Sequence, residues 1–292
     1  MKKVGLVLEG GAMRGMFTAG VLDVFLEEAV KVDGVIGVSA GALFGVNFLS
    51  KQNGRVIRYN KRFAADKRNM GLHSLLTTGD IVNKEFAYYT VPQTLDRFDD
   101  ETFQRSDIPY YAVVTNMETG EPEYMQVKSV FADMEILRAS GSMPFVSRPV
   151  MLNGTSYLDG GISDSIPYQK VLEMGYERLI VILTRDSTYV KKPMSKALIS
   201  LFYRKYPQLC EQLIHRHEQY QQSIQKLEKL EQEGTAFVIR PSLPIEIGRM
   251  EKNPEMLQKV YDLGKDDGRS CLPKLEAFLK HKECLGFQKK RR

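Results

Sequence analysis

Gly34-Val35-Ile36-Gly37-Val38-Ser39-Ala40-Gly41 is the stretch on which the reading of this chain turns. Residues 34–38 form a short apolar run, as expected of a buried strand. Residues 40–49 are small and apolar on most sides and read as a buried helix. Ser39 sits at the junction, framed by Gly37 and Gly41 in a Gly-x-Ser-x-Gly pattern. A serine hydroxyl is a poor nucleophile unless it is exposed, held in place and next to a base. A sharp strand-to-helix turn provides the exposure. The flanking glycines let the two elements cross closely, and the helix N-terminus faces the site. With Gly and Ser each near ~7% of residues, a chain this long gives roughly 0.1 chance matches. The position of the motif therefore carries as much as its letters. The competing reading is a glycine-lined turn with an ordinary N-cap serine.

Upstream, Val4-Gly5-Leu6-Val7-Leu8 reads as a first buried strand, stopped by Gly10-Gly11. Within residues 16–30, Val21, Leu22, Phe25 and Ala29 recur at helical spacing. Between strand and helix lies Gly10-Gly11-Ala12-Met13-Arg14-Gly15. Glycines clustered there leave backbone N–H groups free to point at an anion. Gly10 and Gly15 have the outer spacing of a phosphate-binding loop. Met16 and Phe17, however, stand where Lys and Ser/Thr are needed, and Ala12 breaks the dinucleotide pattern. The remaining anion is the transient oxyanion of ester attack, for which one donor is typically worth ~2.7–4 kcal/mol. Adjacent first and second strands in a parallel sheet would set this loop beside Ser39, at the carboxyl edge where sites collect.

Downstream, residues 55–105 are mostly helical in pattern. Residues 109–115 read as a strand with a hairpin partner at 123–127, and 130–139 as a helix. Residues 150–157 read as a hairpin around the strong turn pair Asn153-Gly154. A short helix at 167–174 and a very apolar strand at 179–184 follow. This alternation predicts an α/β fold: a mostly parallel central sheet covered by helices on both faces. Asp159-Gly160-Gly161 follows the second hairpin. Asp-Gly-Gly is a common turn, and its interest comes from the need of Ser39 for a proton acceptor. The four histidines are His73, His215, His217 and His281, and none lies in a strand-end turn of the sheet region. An aspartate base is therefore a candidate, with a Ser–His–Asp arrangement through His215 or His217 as its rival.

Together the three segments resemble the patatin-like phospholipases. That family combines a Gly-Gly-Gly-x-Arg-Gly oxyanion loop, a Gly-x-Ser-x-Gly elbow and an Asp-Gly-Gly or Asp-Gly-Ala base turn, in the order found here. Ala139-Ser140-Gly141-Ser142-Met143-Pro144 looks like the block that precedes the family's aspartate. The resemblance covers roughly residues 4–185. It implies a Ser39–Asp159 catalytic dyad and an acyl-serine intermediate in the cleavage of lipid acyl esters. The oxyanion hole would be built from Gly10, Gly11, Ala12, Met13, Arg14 and Gly15, with Gly37 and Gly41 at the elbow and Gly160 and Gly161 at the base turn. Neither a metal nor an organic cofactor is implied. Ala12 departs from the family's third glycine; a positive φ there costs alanine ~1 kcal/mol or more. Arg14 either braces the loop or faces an anionic head group. A carboxylate of ordinary pKa is a weak base, so partial burial of Asp159 is expected to raise its pKa.

Composition sets the outer bounds. The 292 residues are 43% hydrophobic and 26% charged, ordinary globular values that exclude disordered and low-complexity classes. Lys plus Arg is 41 and Asp plus Glu is 36, a formal charge of 41 − 36 = +5. That excess is too small to imply nucleic acid. The terminal Lys289, Lys290, Arg291 and Arg292 read as a solvated tail with a weak pull toward anionic lipid. Cys210, Cys271 and Cys284 are too widely spaced for a disulfide framework or zinc pairs, which favours a reducing compartment. The apolar run 4–8 is too short for a signal h-region, and no run reaches a membrane span.

The chain is expected to form a single α/β domain over 1–292. Its parts would be the motif-bearing region 4–185, a helical excursion at 186–232, and a strand and helix at 233–292, the last interrupted at Gly264, Gly268 and Pro273. A cytoplasmic location is expected, with peripheral contact at the inner face of an anionic membrane through the basic–aromatic stretch Lys191 to Tyr206. That stretch also supports the alternative of a non-catalytic lipid-binding protein on the same fold. An acyltransferase would use the same acyl-enzyme. The sequence leaves the oligomeric state open.

Overall fold

The structure, a computed structural model, describes residues 2–280. Five strands run parallel. β1 (Val4–Leu8) lies between β2 (Gly34–Val38) and β7 (Arg178–Ile182), with β3 (Tyr110–Asn116) beyond β2 and β8 (Ala236–Ile239) beyond β7. Three antiparallel strands complete an eight-stranded sheet: β4 (Pro122–Val127), β5 (Val150–Leu152) and β6 (Thr155–Asp159). The mostly parallel sheet read from the sequence is therefore present, with a mixed edge. Asn153 (φ 49) and Gly154 (φ 85) make the β5–β6 turn. Positive φ at both central residues is what a two-residue type I′ hairpin requires.

The helices are α1 (Gly15–Glu27), α2 (Ala40–Leu49), α3 (Arg55–Phe63), α4 (Leu72–Thr78), α5 (Asp100–Gln104), α6 (Met134–Ser140) and α7 (Tyr168–Glu173). They continue with α8 (Lys196–Tyr203), α9 (Pro207–Gln232) and α10 (Pro254–Lys280); a π-helical segment spans Lys84–Leu95. Alternate residues of β1 point to opposite sides, as strand geometry demands. Leu6 and Leu8 pack with Phe17 and Phe25 of α1 and Ala42 of α2, whereas Val7 packs with Val171 of α7 and Tyr220 and Leu227 of α9. Both faces are thus covered.

Two expectations change. The first helix stops at Glu27, because Ala29 turns left-handed (φ 52) and Val30 N–H closes on the Phe25 carbonyl at 2.9 Å. That bond is the signature of a Schellman ending. The last helix is not interrupted. Gly264 is a contact residue rather than a break: a Cβ there would strike the Phe17 carbonyl of α1, and one at Gly20 would strike the Tyr261 carbonyl. Removing both Cβ atoms lets α1 and α10 touch backbone to backbone, while Pro273 is carried inside α10.

The topology that positions the site is at β3. β4 occupies one edge of β3 from Tyr110 to Thr115. The other edge is shared: β2 pairs with it as far as Val38 opposite Val113, and β6 takes over with Asp159 opposite Val114. β2 runs parallel to β3 and β6 antiparallel, so their carboxyl ends meet head to head.

Candidate active site

Ser39 follows β2 directly and caps α2 with φ 53 and ψ −121. This backbone region costs a non-glycine residue on the order of 1–3 kcal/mol. The strain tips the side chain out of the strand toward the end of β6. There Ser39 Oγ donates to Asp159 Oδ2 at 2.6 Å. Both residues are nearly closed off from solvent, at 8% and 6% exposure. The elbow is packed against the first strand: a Cβ on Gly41 would collide with the Leu8 carbonyl, and one on Gly10 would come within 2.9 Å of the Ser39 Cβ. The Gly10 loop and the serine turn therefore touch, as neighbouring β1 and β2 require.

Asp159 is held on several sides. Its Oδ1 accepts from Gly161 N–H at 2.8 Å, and its carbonyl accepts from Thr115 Oγ1 at 2.9 Å. Burial raises its pKa above the ordinary carboxylate value; the Ser39 hydrogen bond and the Arg216 and Lys191 charges act in the opposite direction and do not cancel it.

In the glycine loop, Ala12 adopts φ 49, the left-handed conformation that makes its departure from glycine costly. Arg14 N–H closes the turn on Gly11 O at 3.1 Å. Among the described residues no acceptor takes the N–H groups of Gly11, Ala12 or Met13. Gly15 is the first residue of α1.

The block 139–144 has a physical task that sequence reasoning did not assign. Ser140 Oγ accepts from Ser39 N–H at 2.9 Å, and the Ser142 carbonyl accepts from Asp159 N–H at 2.9 Å. One short segment thus fixes the backbones of both residues. No signal beyond the resemblance of the block could have located these bonds.

The histidines lie elsewhere. His215 faces Glu211 and Glu218 on the outer side of α9, and His217 Nδ1 lies 3.0 Å from the Ile214 carbonyl. Among the described residues no histidine lines either cavity that opens on Ser39. His281, Cys284 and the terminal basic tail lie outside the described residues.

Lys191 lies in the coil that precedes α8. It lies half-buried over the Tyr220 ring at 4.0 Å, with its Nζ 3.3 Å from Ser165 Oγ. Burial and the neighbouring Arg216 charge push its pKa well down. Arg216 donates from Nε to the Gly161 carbonyl. It shares one face of α9 with Leu213 and Tyr220, both buried, and that packing directs it to the base turn.

Two cavities meet at Ala12, Ser39, Met143 and Arg249. One is largely apolar and runs past Met13, Leu43, Phe44, Val91 and Leu137. The other is polar and is bounded by the glycine loop, Asp159 and α9. No group of three or more metal-binding side chains exists among the described residues, and no helix there is long and apolar enough to cross a membrane.

Residues 6–172 match the family model of patatin-like phospholipases, and residues 206–280 match a domain of unknown function, DUF6363. The chain is 28% identical over 290 residues to the uncharacterized protein YjjU of Escherichia coli, covering 97% of this chain and 81% of that protein. It is 25% identical over 299 residues to the lysophospholipase nte1 of Aspergillus fumigatus, covering 94% of this chain but only 18% of that far longer protein. Among solved structures, VipD from Legionella pneumophila aligns with 94% of this chain and 67% of its own, with a TM-score of 0.46 and 13% identity.

Proposed function

The chain belongs to the patatin-like phospholipase family, whose members are lipid hydrolases, and from that premise we propose that it is a serine acyl hydrolase using a Ser39–Asp159 dyad. The observation that carries this reading is the 2.6 Å bond between Ser39 Oγ and Asp159 Oδ2, with no imidazole between them. In the proposed cycle, Asp159 takes the hydroxyl proton as Ser39 Oγ attacks the ester carbonyl. The N–H groups of Gly11 to Met13 receive the oxyanion, a role that preorganised backbone donors fill without reorganisation. Collapse of the tetrahedral adduct breaks the ester C–O bond, and the departing alcohol takes the proton from Asp159. Water then attacks acyl-Ser39, giving its proton to Asp159, and the fatty acid leaves as Ser39 recovers a proton. Burial supports Asp159 in this role, since a raised pKa makes a carboxylate a stronger base. The apolar cavity suits the acyl chain.

The test is labelling by a fluorophosphonate probe, with the modified residue mapped, alongside hydrolysis of short-chain nitrophenyl esters. Ser39→Ala is expected to abolish both, and Asp159→Asn to lower both by about 10²–10⁴-fold, the usual range for a general base. Full activity in either folded variant would end the dyad reading.

The proposal places the enzyme in the cytoplasm, supported by three widely spaced cysteines, of which Cys210 and Cys271 are free thiols. It reaches lipid through peripheral contact. That contact is read from α8, where Leu198, Leu201 and Phe202 are 49%, 72% and 55% exposed beside Lys196 and Arg204.

A further inference from the structure

The polar cavity on the far side of Ser39 holds a cluster of cations with too little negative charge to answer it. Arg14, Arg185, Lys191, Arg216 and Arg249 all line it. Among the described residues none of the five forms an ion pair with a carboxylate. Among the described residues two acidic side chains line the cavity, Glu9 and Asp159, and both are engaged. Glu9 accepts from Tyr220 Oη at 2.8 Å and from Thr184 N–H at 2.6 Å, while Asp159 accepts from Ser39 and Gly161. In addition, the Nε atoms of Arg14 and Arg185 are buried without a hydrogen-bond partner. An unsatisfied buried donor on a charged group is costly, and native proteins rarely keep one without a use. Burial and the proximity of Arg185 lower the pKa of Arg14 to about 10, so the crowding is felt.

We propose that this chamber is the subsite for a phosphate group on the alcohol side of the scissile ester, and that the substrate is an anionic phospholipid lacking a head-group cation. The inference rests on the hydrolase reading above and adds to it a choice of head group. Its geometry follows from the shared rim. An ester held at Ser39 with its acyl chain in the apolar cavity projects its alcohol into the cationic one. Guanidinium groups present paired N–H donors that match phosphate oxygens.

The chamber offers nothing to a head-group cation. A choline or ethanolamine group would need a free carboxylate or an open aromatic face. Both lining carboxylates are taken. The two aromatic faces are also taken: Arg185 lies 4.0 Å over the Tyr189 ring and Lys191 4.0 Å over the Tyr220 ring.

The test compares three monoacyl esters with one acyl chain, lysophosphatidic acid, lysophosphatidylcholine and monoacylglycerol, by fatty-acid release. Lysophosphatidic acid is expected to exceed both others in kcat/KM by about 10–100-fold, the worth of one or two charge-assisted bonds. Arg185→Gln and Arg249→Gln are expected to lower the ratio of anionic to neutral ester by about tenfold each, mainly through KM. Arg185→Lys should recover part of it. General damage would reduce both esters alike and leave the ratio unmoved. In parallel, calorimetric binding of lysophosphatidic acid and of inorganic phosphate to Ser39→Ala tests the subsite without catalysis.

Equal kcat/KM for the three esters, or a ratio unchanged by the arginine substitutions, overturns the proposal. So does inorganic phosphate binding as tightly as the lipid with no preference among esters, which marks a free-phosphate site. Tight, arginine-dependent binding of lysophosphatidic acid without hydrolysis of any ester supports the subsite and counts against the hydrolase reading instead.

Discussion

Arg216 reaches Asp159 through a single residue, Gly161: its Nε donates to the Gly161 carbonyl, and the Gly161 N–H donates to Asp159 Oδ1 at 2.8 Å. A helix outside the motif-bearing region thereby fixes the orientation of the proposed base and places a positive charge near it. Arg216 is in this sense a positioning residue.

A pH dependence follows. The ionised form of Asp159 is the base, and its pKa is raised by burial. The acid limb of kcat/KM is expected to inflect above the ordinary aspartate value. In Arg216→Gln the lowering influence of the cation is lost, so the limb should move to higher pH. For stability the sign is the opposite of a salt-bridged aspartate. A carboxyl whose folded pKa lies above its unfolded one destabilises the fold while ionised. That cost is present above the folded pKa and is lost as pH falls through it. Asp159→Asn should therefore gain stability relative to wild type at neutral pH, with the gain shrinking on acidification. Thermal melts against pH check the second point and a pH–rate profile the first; an unmoved limb in Arg216→Gln would remove its influence on Asp159.

Backbone strain at the elbow predicts a trade of stability against activity. Ser39 at φ 53 and ψ −121 and Ala12 at φ 49 occupy regions that glycine enters freely. Ser39→Gly relieves about 1–3 kcal/mol of strain, less about 0.5–1 kcal/mol for glycine's added chain entropy. It is expected to raise Tm by a few degrees while eliminating activity. Ala12→Gly should also raise Tm, by roughly 2–4 °C per kcal/mol relieved, with activity retained. Differential scanning calorimetry decides both.

Ser140 is expected to matter to a reaction it does not touch. Its Oγ is the acceptor for the N–H of Ser39, and both groups are buried. Ser140→Ala leaves that N–H unpaired at a cost of about 1–3 kcal/mol. A lower Tm should be accompanied by about tenfold slower fluorophosphonate labelling of Ser39. Labelling at the wild-type rate would show that the serine turn holds its shape without this bond.

Membrane contact is expected to follow α8 rather than Lys191. Leu201→Asp combined with Phe202→Asp should remove co-sedimentation with vesicles rich in anionic lipid, because the exposed apolar face supplies the insertion. Equal sedimentation of wild type and the double variant would place any lipid contact elsewhere on the surface.

Much of this was legible in the chain itself because the signals are local. The strands Val4–Leu8 and Gly34–Val38 and the helix Ala40–Leu49 were bounded correctly, since short apolar runs and glycine punctuation act within a few residues. Asn153-Gly154 specified its hairpin for the same reason. Gly264 was misread as a break because its purpose lies in another helix: glycine weakens an isolated helix but permits contact with Phe17 of α1.

The chain by itself determined the elements and the residue types able to do acyl chemistry, because period, turn chemistry and motif spacing are properties of neighbouring residues. Only the tertiary structure decided that Ser39 and Asp159, 120 positions apart, come within 2.6 Å. It also decided that Ser140 and Ser142 hold their backbones and that Lys191, Arg216 and Arg249 converge on one chamber. The reason is that β2 and β6 share one edge of β3 and α9 packs across the end of both. Pairing of distant strands and burial of a helix face set those distances, and no local pattern contains them.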